Sequence, residues 1–383
     1  MIPSAGALEG IRVLDLSRML PGPYCSMILA DHGAEVIAIE DRKFQEDGLF
    51  FNDLNRNKRH MSLNLKAPEG LEIFFKLAAK ADVVLEGFRP GVVQRLGVDY
   101  ETVRQSNPRI IYCSISGYGQ TGPLRNRVGH DVNYLSTAGV LDQIGEKGGR
   151  PIIPGVQIAD IAGGSMNAAI GILLALFARE KTGTGQYIDI SMTDGIVGLL
   201  SLPNYFTALT GQRQRPSDTL LSHRYACYNT YETADGRFIS IGAVENKFWQ
   251  RLCLHLGRPE YGPLQYDEKR REEIIEDLRG VFLRKTVAEW DLELSTLEVC
   301  FAVVKTLAEI LTDPLFRERE MVSGYTGEKD EEKFGFGIPV KLSETPGSLR
   351  TVPGTFGEQT REILEELGYS AEQIETFLAN GVL

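Results

Sequence analysis

Four short runs of branched apolar residues punctuate the first third of the chain: IRVLDL (11–16), EVIAIE (35–40), DVVLE (82–86) and IIYCSI (110–115). Consecutive apolar positions over four to six residues suit strands buried on both faces. Between them the period changes. In APEGLEIFFKLAAKAD, Leu71, Phe74, Phe75 and Ala78 recur at i, i+3, i+4 and i+7 behind Pro68, the spacing and the start of an amphipathic helix. This βαβα rhythm predicts an α/β fold built on a doubly wound parallel sheet. The longest greasy run, AAIGILLALFA (168–178), is too short to span a bilayer and predicts a buried helix.

After residue 200 the texture changes. CYNTYETADGRFISIGA (227–243) reads as a hairpin turning at Asp235-Gly236, and charge-rich helical sequence follows to about 320. That part predicts a smaller α+β domain. The tail GEQTREILEELGYSAEQIETFLANGVL predicts two short amphipathic helices parted by GYS, with Ser370 and Gln373 spaced as a capping box.

Composition narrows the partners. The net charge of −11, from 52 acidic and 41 basic residues, argues against nucleic acid or an anionic membrane surface. A small anionic ligand needs only a local basic pocket, and three basic clusters offer one: Arg42, NRNKRHMSLNLK (55–66) and EGFRPGVVQRLG (86–97). Five dispersed cysteines without a C-x-x-C pair or a histidine at ligand spacing predict free thiols in a reducing cytoplasm and no metal site. The first residues lack the basic and apolar regions of a signal peptide. GYGQTG (117–122) matches G-x-G-x-x-G, but Pro123 and LRNRVGH follow where a helix should open. It predicts a tight loop instead of a dinucleotide site.

Two polar residues stand out. His130 lies in VGHDVNYLST, and Asp160 lies among apolar neighbours in IADIAGG. Each has a plain structural reading, a packed histidine and a helix N-cap. Several segments together weigh against that: LEGIRVLDLSRMLPGPYCSMILADHGAEVIAIE, EGFRPGVVQRLG, GYGQTGP, GHDVNY, ADIAGG, GTGQYIDISMTDG and the tail. This set resembles the family III CoA-transferase superfamily over nearly the whole chain, and within it the α-methylacyl-CoA racemase branch.

The resemblance implies a large Rossmann-like CoA-binding domain from 1–205 and 330–383, a small domain from 225–325, and linkers at 206–224 and 326–329. It implies an interlocked homodimer acting on acyl-CoA, with no cofactor beyond the CoA moiety. Arg42 would meet the nucleotide phosphates, and Leu63, Asn64, Leu65 and Lys66 the adenosine end. Gly87, Phe88, Arg89 and Arg95 would hold the rest of the phosphate-rich portion. Gly129, Asp131, Val132, Asn133 and Tyr134 would lie along the thioester.

The chemistry follows from the substrate. Sulfur donates poorly into a thioester carbonyl, so the α-carbon is acidic. Inverting it needs one group to take the proton and another to return one on the opposite face. A neutral imidazole at His130 suits one face, with Glu245 in VENKFW as its orienter. Asp160 suits the other if desolvation keeps it protonated. In transferases of the superfamily the matching aspartate instead attacks the thioester to form an acyl-aspartyl anhydride. The joint presence of His130 and Glu245 favours racemisation, whereas PGVQI (154–158) resembles the transferase members more.

Overall fold

A computed structural model describes residues 6–45, 52–326 and 332–383. The chain forms two compact units: Met1–Val140, Pro154–Leu200 and Pro314–Leu383 in one, Leu141–Ile153 and Ser201–Asp313 in the other. The second unit thus takes up a short stretch that precedes Asp160, and it begins within the segment assigned from sequence to the large domain. Of the linker at 326–329, all but Thr326 lies outside the described residues.

The first unit is built on six parallel strands: β1 (Arg12–Asp15), β2 (Glu35–Glu40), β3 (Lys58–Ser62), β4 (Val83–Glu86), β5 (Ile111–Ser116) and β6 (Tyr187–Ser191). Their order is β3-β2-β1-β4-β5-β6, and every neighbouring pair is parallel. The chain winds outward from β1 in one direction and from β4 in the other. The crevice at the C-terminal ends of these two strands is where open α/β sheets take ligands. Helices α1 (Pro21–Asp31), α2 (Pro68–Ala78), α3 (Val92–Leu96), α4 (Tyr100–Ser106), α5 (Asp131–Thr137), α6 (Asn167–Thr182) and α7 (Met192–Val197) belong to this unit. The buried stripe of α2 is Ile73, Phe74, Leu77 and Ala78, with Leu71 and Phe75 half-buried beside it. The α/β fold and its parallel sheet are those expected.

The four apolar runs are β1, β2, β4 and β5. The pattern misses two strands, the edge strand β6 and β3, whose sequence KRHMS sits inside the second basic cluster. Its cations are not free for a ligand. Arg56 makes a two-pronged pair with buried Asp31 at 3.1 and 2.7 Å and also donates to the Phe336 carbonyl. Lys58 is fully enclosed, donating to Pro23 O at 2.9 Å with Asp15 at 3.9 Å, and burial pulls its pKa down to about 8. Arg59 reaches Glu35, Glu362 and Glu366, and His60 Nδ1 lies 2.9 Å from Glu40. Most of this cluster is an internal ion-pair lattice, which corrects its reading as a phosphate surface.

The greasy run lies within a continuous helical stretch, Ala159–Thr182. One face of α6 is seated in the unit through Ala168, Ala169, Ile172, Ala175 and Leu176, and buried Arg179 pairs with Asp82 at 2.8 Å. The opposite face shows Ile170, Leu173, Leu174 and Phe177 to solvent, the last two 64% exposed. The expected buried helix is therefore buried on one side. The 24-residue stretch is long enough to cross a bilayer, but seating on the sheet accounts for its buried face. The tail packs two helices, Thr360–Glu366 and Ala371–Ala379, through Ile363, Leu364 and Ile374 into the sheet core. Ser370 and Gln373 form the capping box.

The second unit contains α8 (Ser201–Thr210) and the hairpin β7 (Tyr228–Glu232) and β8 (Phe238–Gly242), extended antiparallel by β9 (Phe301–Val303). Gly236, at φ +71°, allows the left-handed turn between the hairpin strands. Helices α9 (Asn246–His255), α10 (Arg271–Phe282) and α11 (Val287–Leu294) cover the sheet. Trp249, Tyr231, Phe282 and Trp290 centre the core.

Candidate active site

After β5 the GYGQTG segment makes a loop, with Gly119 and Gly122 at φ +83° and +84°. Gln120 N donates to both carboxylate oxygens of Asp189. No helix opens here, and the loop runs on to Gly129 and the start of α5. His130 occupies the N-cap position of α5, where its main-chain N–H donates to Asn133 Oδ1 at 3.0 Å. Its side chain is exposed.

Tyr134 sets the shape of this corner. Its buried ring stands edge-on to Tyr118 at 5.2 Å, and its hydroxyl donates to the Gly129 carbonyl. A Cβ on Gly117 would lie 2.4 Å from that ring and one on Gly129 2.9 Å from it. Both glycines are there for space, not for their dihedrals.

The second arm is a π-helical segment, Ala159–Met166. Such wide turns recur at functional sites. Here small residues let two elements close up: a Cβ on Gly163 would lie 2.4 Å from Met192 O, and one on Gly195 in α7 2.3 Å from Gly163 O. Ser165 Oγ donates to Pro21 O at 2.7 Å, fastening the segment to the start of α1.

Asp131 joins the two arms. Its Oδ2 accepts from Ala159 N at 2.7 Å and from Asp160 N at 3.0 Å. The capping role available to Asp160 is thus filled by a residue 29 positions earlier. The half-buried Asp160 carboxyl takes no hydrogen bond from a described residue, and its pKa is pushed up to about 6. Burial is the main cause; the Asp131 charge adds to it and His130 opposes it. The Tyr134 hydroxyl is raised to about 12, first by burial and then by Asp160, with Arg89 acting the other way. His130, Asp131, Tyr134, Asp160 and Arg89 therefore share one neighbourhood. Glu245 belongs to the second unit. It is exposed at the N-cap of α9, yet makes no capping bond.

A recess of about 220 Å³ is lined by Asp41, Arg42, Lys43, Ser62, Asn64, Lys66, Gly381 and Leu383. Arg42 and Lys66 reach it as exposed cations. Asn64 is engaged by the tail, donating to Gly381 O at 3.1 Å and accepting from Lys66 N. Leu63 is 1% exposed and lies in the sheet core, with Leu65 packed against the same core. The Leu63 side chain is closed to any ligand, and its N–H is taken by Glu40 O. Gly87 and Arg89 are exposed after β4, Arg95 is exposed at the end of α3, and the half-buried Phe88 ring packs on the core. Val132 is half-buried and Asn133 exposed on α5.

Two further cations escaped sequence reasoning. Lys43 lines the recess, and Arg18, from the turn after β1, lies over the Phe44 ring at 3.6 Å. An arginine following the first strand of a doubly wound sheet was the available signal.

Residues 8–360 match the family model "CoA-transferase family III". The chain belongs to CoA-transferase family III. Family relatives of two activities resemble it across their length. The α-methylacyl-CoA racemase of Homo sapiens is 37% identical over 371 residues, covering 96% of this chain and 95% of that protein. The succinyl-CoA:mesaconate CoA-transferase of Haloarcula marismortui is 34% identical over 390 residues, covering 95% and 97%. Among solved structures, a CAIB/BAIF family protein from Brucella suis superposes with a TM-score of 0.84 at 28% identity, covering 95% of this chain and all of that one. Family membership makes the chain one of a group of enzymes acting on acyl-CoA.

Proposed function

We propose that this chain inverts the α-carbon of 2-methylacyl-CoA thioesters by a two-base 1,1-proton transfer. The observation that carries the reading is Asp160: a half-buried carboxyl that takes no hydrogen bond from a described residue, with its pKa at about 6, on a turn held by Asp131, the residue next to His130. A group so poised can hold a proton and also accept one near neutrality. His130 serves the other face, with Glu245 as its orienter. An N-cap glutamate that leaves the helix uncapped supports that role, since Ser, Thr, Asn or Asp would stabilise α9 better. In one direction His130 removes the α-proton, electrons move into the carbonyl, and Asp160 delivers its proton to the opposite face. In the other direction the two exchange roles.

Arg42 and Lys66, with Arg89 and Arg95, hold CoA in this proposal. Asn64, Leu65, Gly87, Phe88, Gly129, Asp131, Val132, Asn133 and Tyr134 shape its path, and CoA is the only cofactor-like group required. Arg42→Ala and Lys66→Ala are each expected to raise the KM for acyl-CoA about tenfold, the worth of one charge-assisted hydrogen bond, with little change in kcat. Steady-state kinetics at fixed ionic strength check this. The open apolar face of α6 supports a homodimer, and five free thiols support a reducing cytoplasm, where the reaction would serve branched-lipid metabolism.

A second reading is CoA transfer. Asp160 would attack the thioester carbon and expel the CoA thiolate, giving an acyl-aspartyl anhydride. The thiolate would then attack the aspartyl carbonyl and release the donor acid, leaving an aspartyl-CoA thioester. An acceptor carboxylate would attack that thioester, the thiolate finally taking the acceptor's acyl carbon and freeing Asp160. The Haloarcula relative's activity and the PGVQI segment favour it. Incubation of the wild type with one enantiomer of a 2-methylacyl-CoA in deuterated water, with and without a carboxylate acceptor, separates the two. Racemisation incorporates deuterium at the α-carbon without an acceptor. Acceptor-dependent movement of CoA without α-deuteration would establish transfer.

A further inference from the structure

We infer that Gln265 is a positioning residue that fixes Glu245 from outside the chemistry, an inference resting on the orienting role proposed for Glu245. The N-cap residue of α9 does not secure its own turn, because the Glu245 carboxylate makes no capping bond. Gln265 secures it instead. Its Nε2 donates to Ala243 O at 2.9 Å and Val244 O at 2.7 Å, while its Oε1 accepts from Asn246 Nδ2 at 2.9 Å. One buried amide grips residues on both sides of Glu245 and leaves that carboxylate free. Tyr266 adds a second donor to Val244 O at 2.6 Å.

The rest of the turn is anchored independently. Ala243 N donates to Cys227 O at 2.8 Å, and Trp249 Nε1 donates to Tyr261 O at 2.8 Å. Between these anchors the Glu245 carbonyl accepts from Phe248 N at 3.0 Å and Trp249 N at 3.2 Å, so the side-chain hold on the segment entering the helix comes from the Gln265 amide and the Tyr266 hydroxyl. Both donors of the clamp reach the carbonyl of Val244, the residue directly before Glu245, so the clamp acts on the turn that carries the carboxylate. No other side chain of similar size offers two donors and an acceptor in one plane. Leucine at 265 would strand the Ala243 carbonyl, leave the Val244 carbonyl to Tyr266 alone and leave the Asn246 amide only its 3.4 Å bond to Gly262 O, loosening the backbone between them.

The test is a mutant cycle read by α-proton exchange of 2-methylacyl-CoA. Gln265→Leu is expected to lower kcat about tenfold, with KM within about twofold, and to move the pH–rate profile toward that of Glu245→Gln. Made in the Glu245→Gln background, the same change should cost less than about twofold, because its effect passes through the carboxylate. Tyr266→Phe should show the same pattern at about threefold, and it decides the matter if Gln265→Leu does not fold. Losses that multiply in the Glu245→Gln background, or a rise in KM in place of the fall in kcat, would overturn the clamp alone. Wild-type kcat and pH profile in Glu245→Gln would overturn the orienting role and the clamp with it.

Discussion

Replacing Asp160 by Asn is expected to abolish inversion and to stabilise the protein at pH 8. The first effect should be a loss of about 10²–10⁴ in kcat, the usual span for a general acid–base group. The second follows from linkage. The folded carboxyl titrates at about 6, above its unfolded value near 3.8. The native state therefore binds the proton more tightly, and the associated stability is present at low pH and lost as pH rises through 6. The difference between the folded and unfolded values corresponds to roughly 3 kcal/mol, which solvent screening at a half-open position reduces to about 1 kcal/mol. Asn carries no charge, so the variant should gain that amount at pH 8 and nothing below pH 4. Chemical denaturation at both pH values checks it. A variant no more stable than the wild type at pH 8 would mean the carboxylate is not desolvated.

Arg56→Met is the largest expected stability loss. Asp31 is 2% exposed and receives both prongs of Arg56 and the Asn57 amide. Removing the guanidinium strands a buried carboxylate at a cost of about 3–5 kcal/mol. Adding Asp31→Leu should recover much of the loss. The KM for acyl-CoA should stay within about twofold in whatever fraction remains folded. Urea unfolding with parallel kinetics separates this from a phosphate role, which would raise KM and leave stability nearly unchanged.

These two residues mark the boundary of what the sequence discloses. β1, β2, β4 and β5 are legible because a strand covered on both faces has no polar face to hide its pattern. β3 is hidden because its cations and Arg56 just before it are neutralised by partners scattered through the chain: Asp15, Asp31, Glu35, Glu40, Glu362 and Glu366. Read locally, such a cluster is indistinguishable from a solvated surface. β6 is an edge strand whose positions before buried Ser191 are exposed or half-buried, so its apolar signal is weak.

At the site, motif resemblance brings out His130 and Asp160, and the structure puts them in one neighbourhood. The device that joins them, Asp131 capping the turn of Asp160, depends on a 29-residue separation that no periodicity encodes. The π-helical turn depends on Gly163 meeting Gly195 across two elements, which is equally invisible. Leu63 shows the converse: a residue inside a binding motif can be there for the core.

The most direct measurement follows each enantiomer of a 2-methylacyl-CoA separately in deuterated water with His130→Ala and Asp160→Asn. Two bases on opposite faces predict that each variant loses inversion yet keeps α-deuterium incorporation from one enantiomer, and that the two variants prefer opposite enantiomers. Equal effects of either change on both enantiomers, or inversion that persists without His130, would contradict the two-face mechanism.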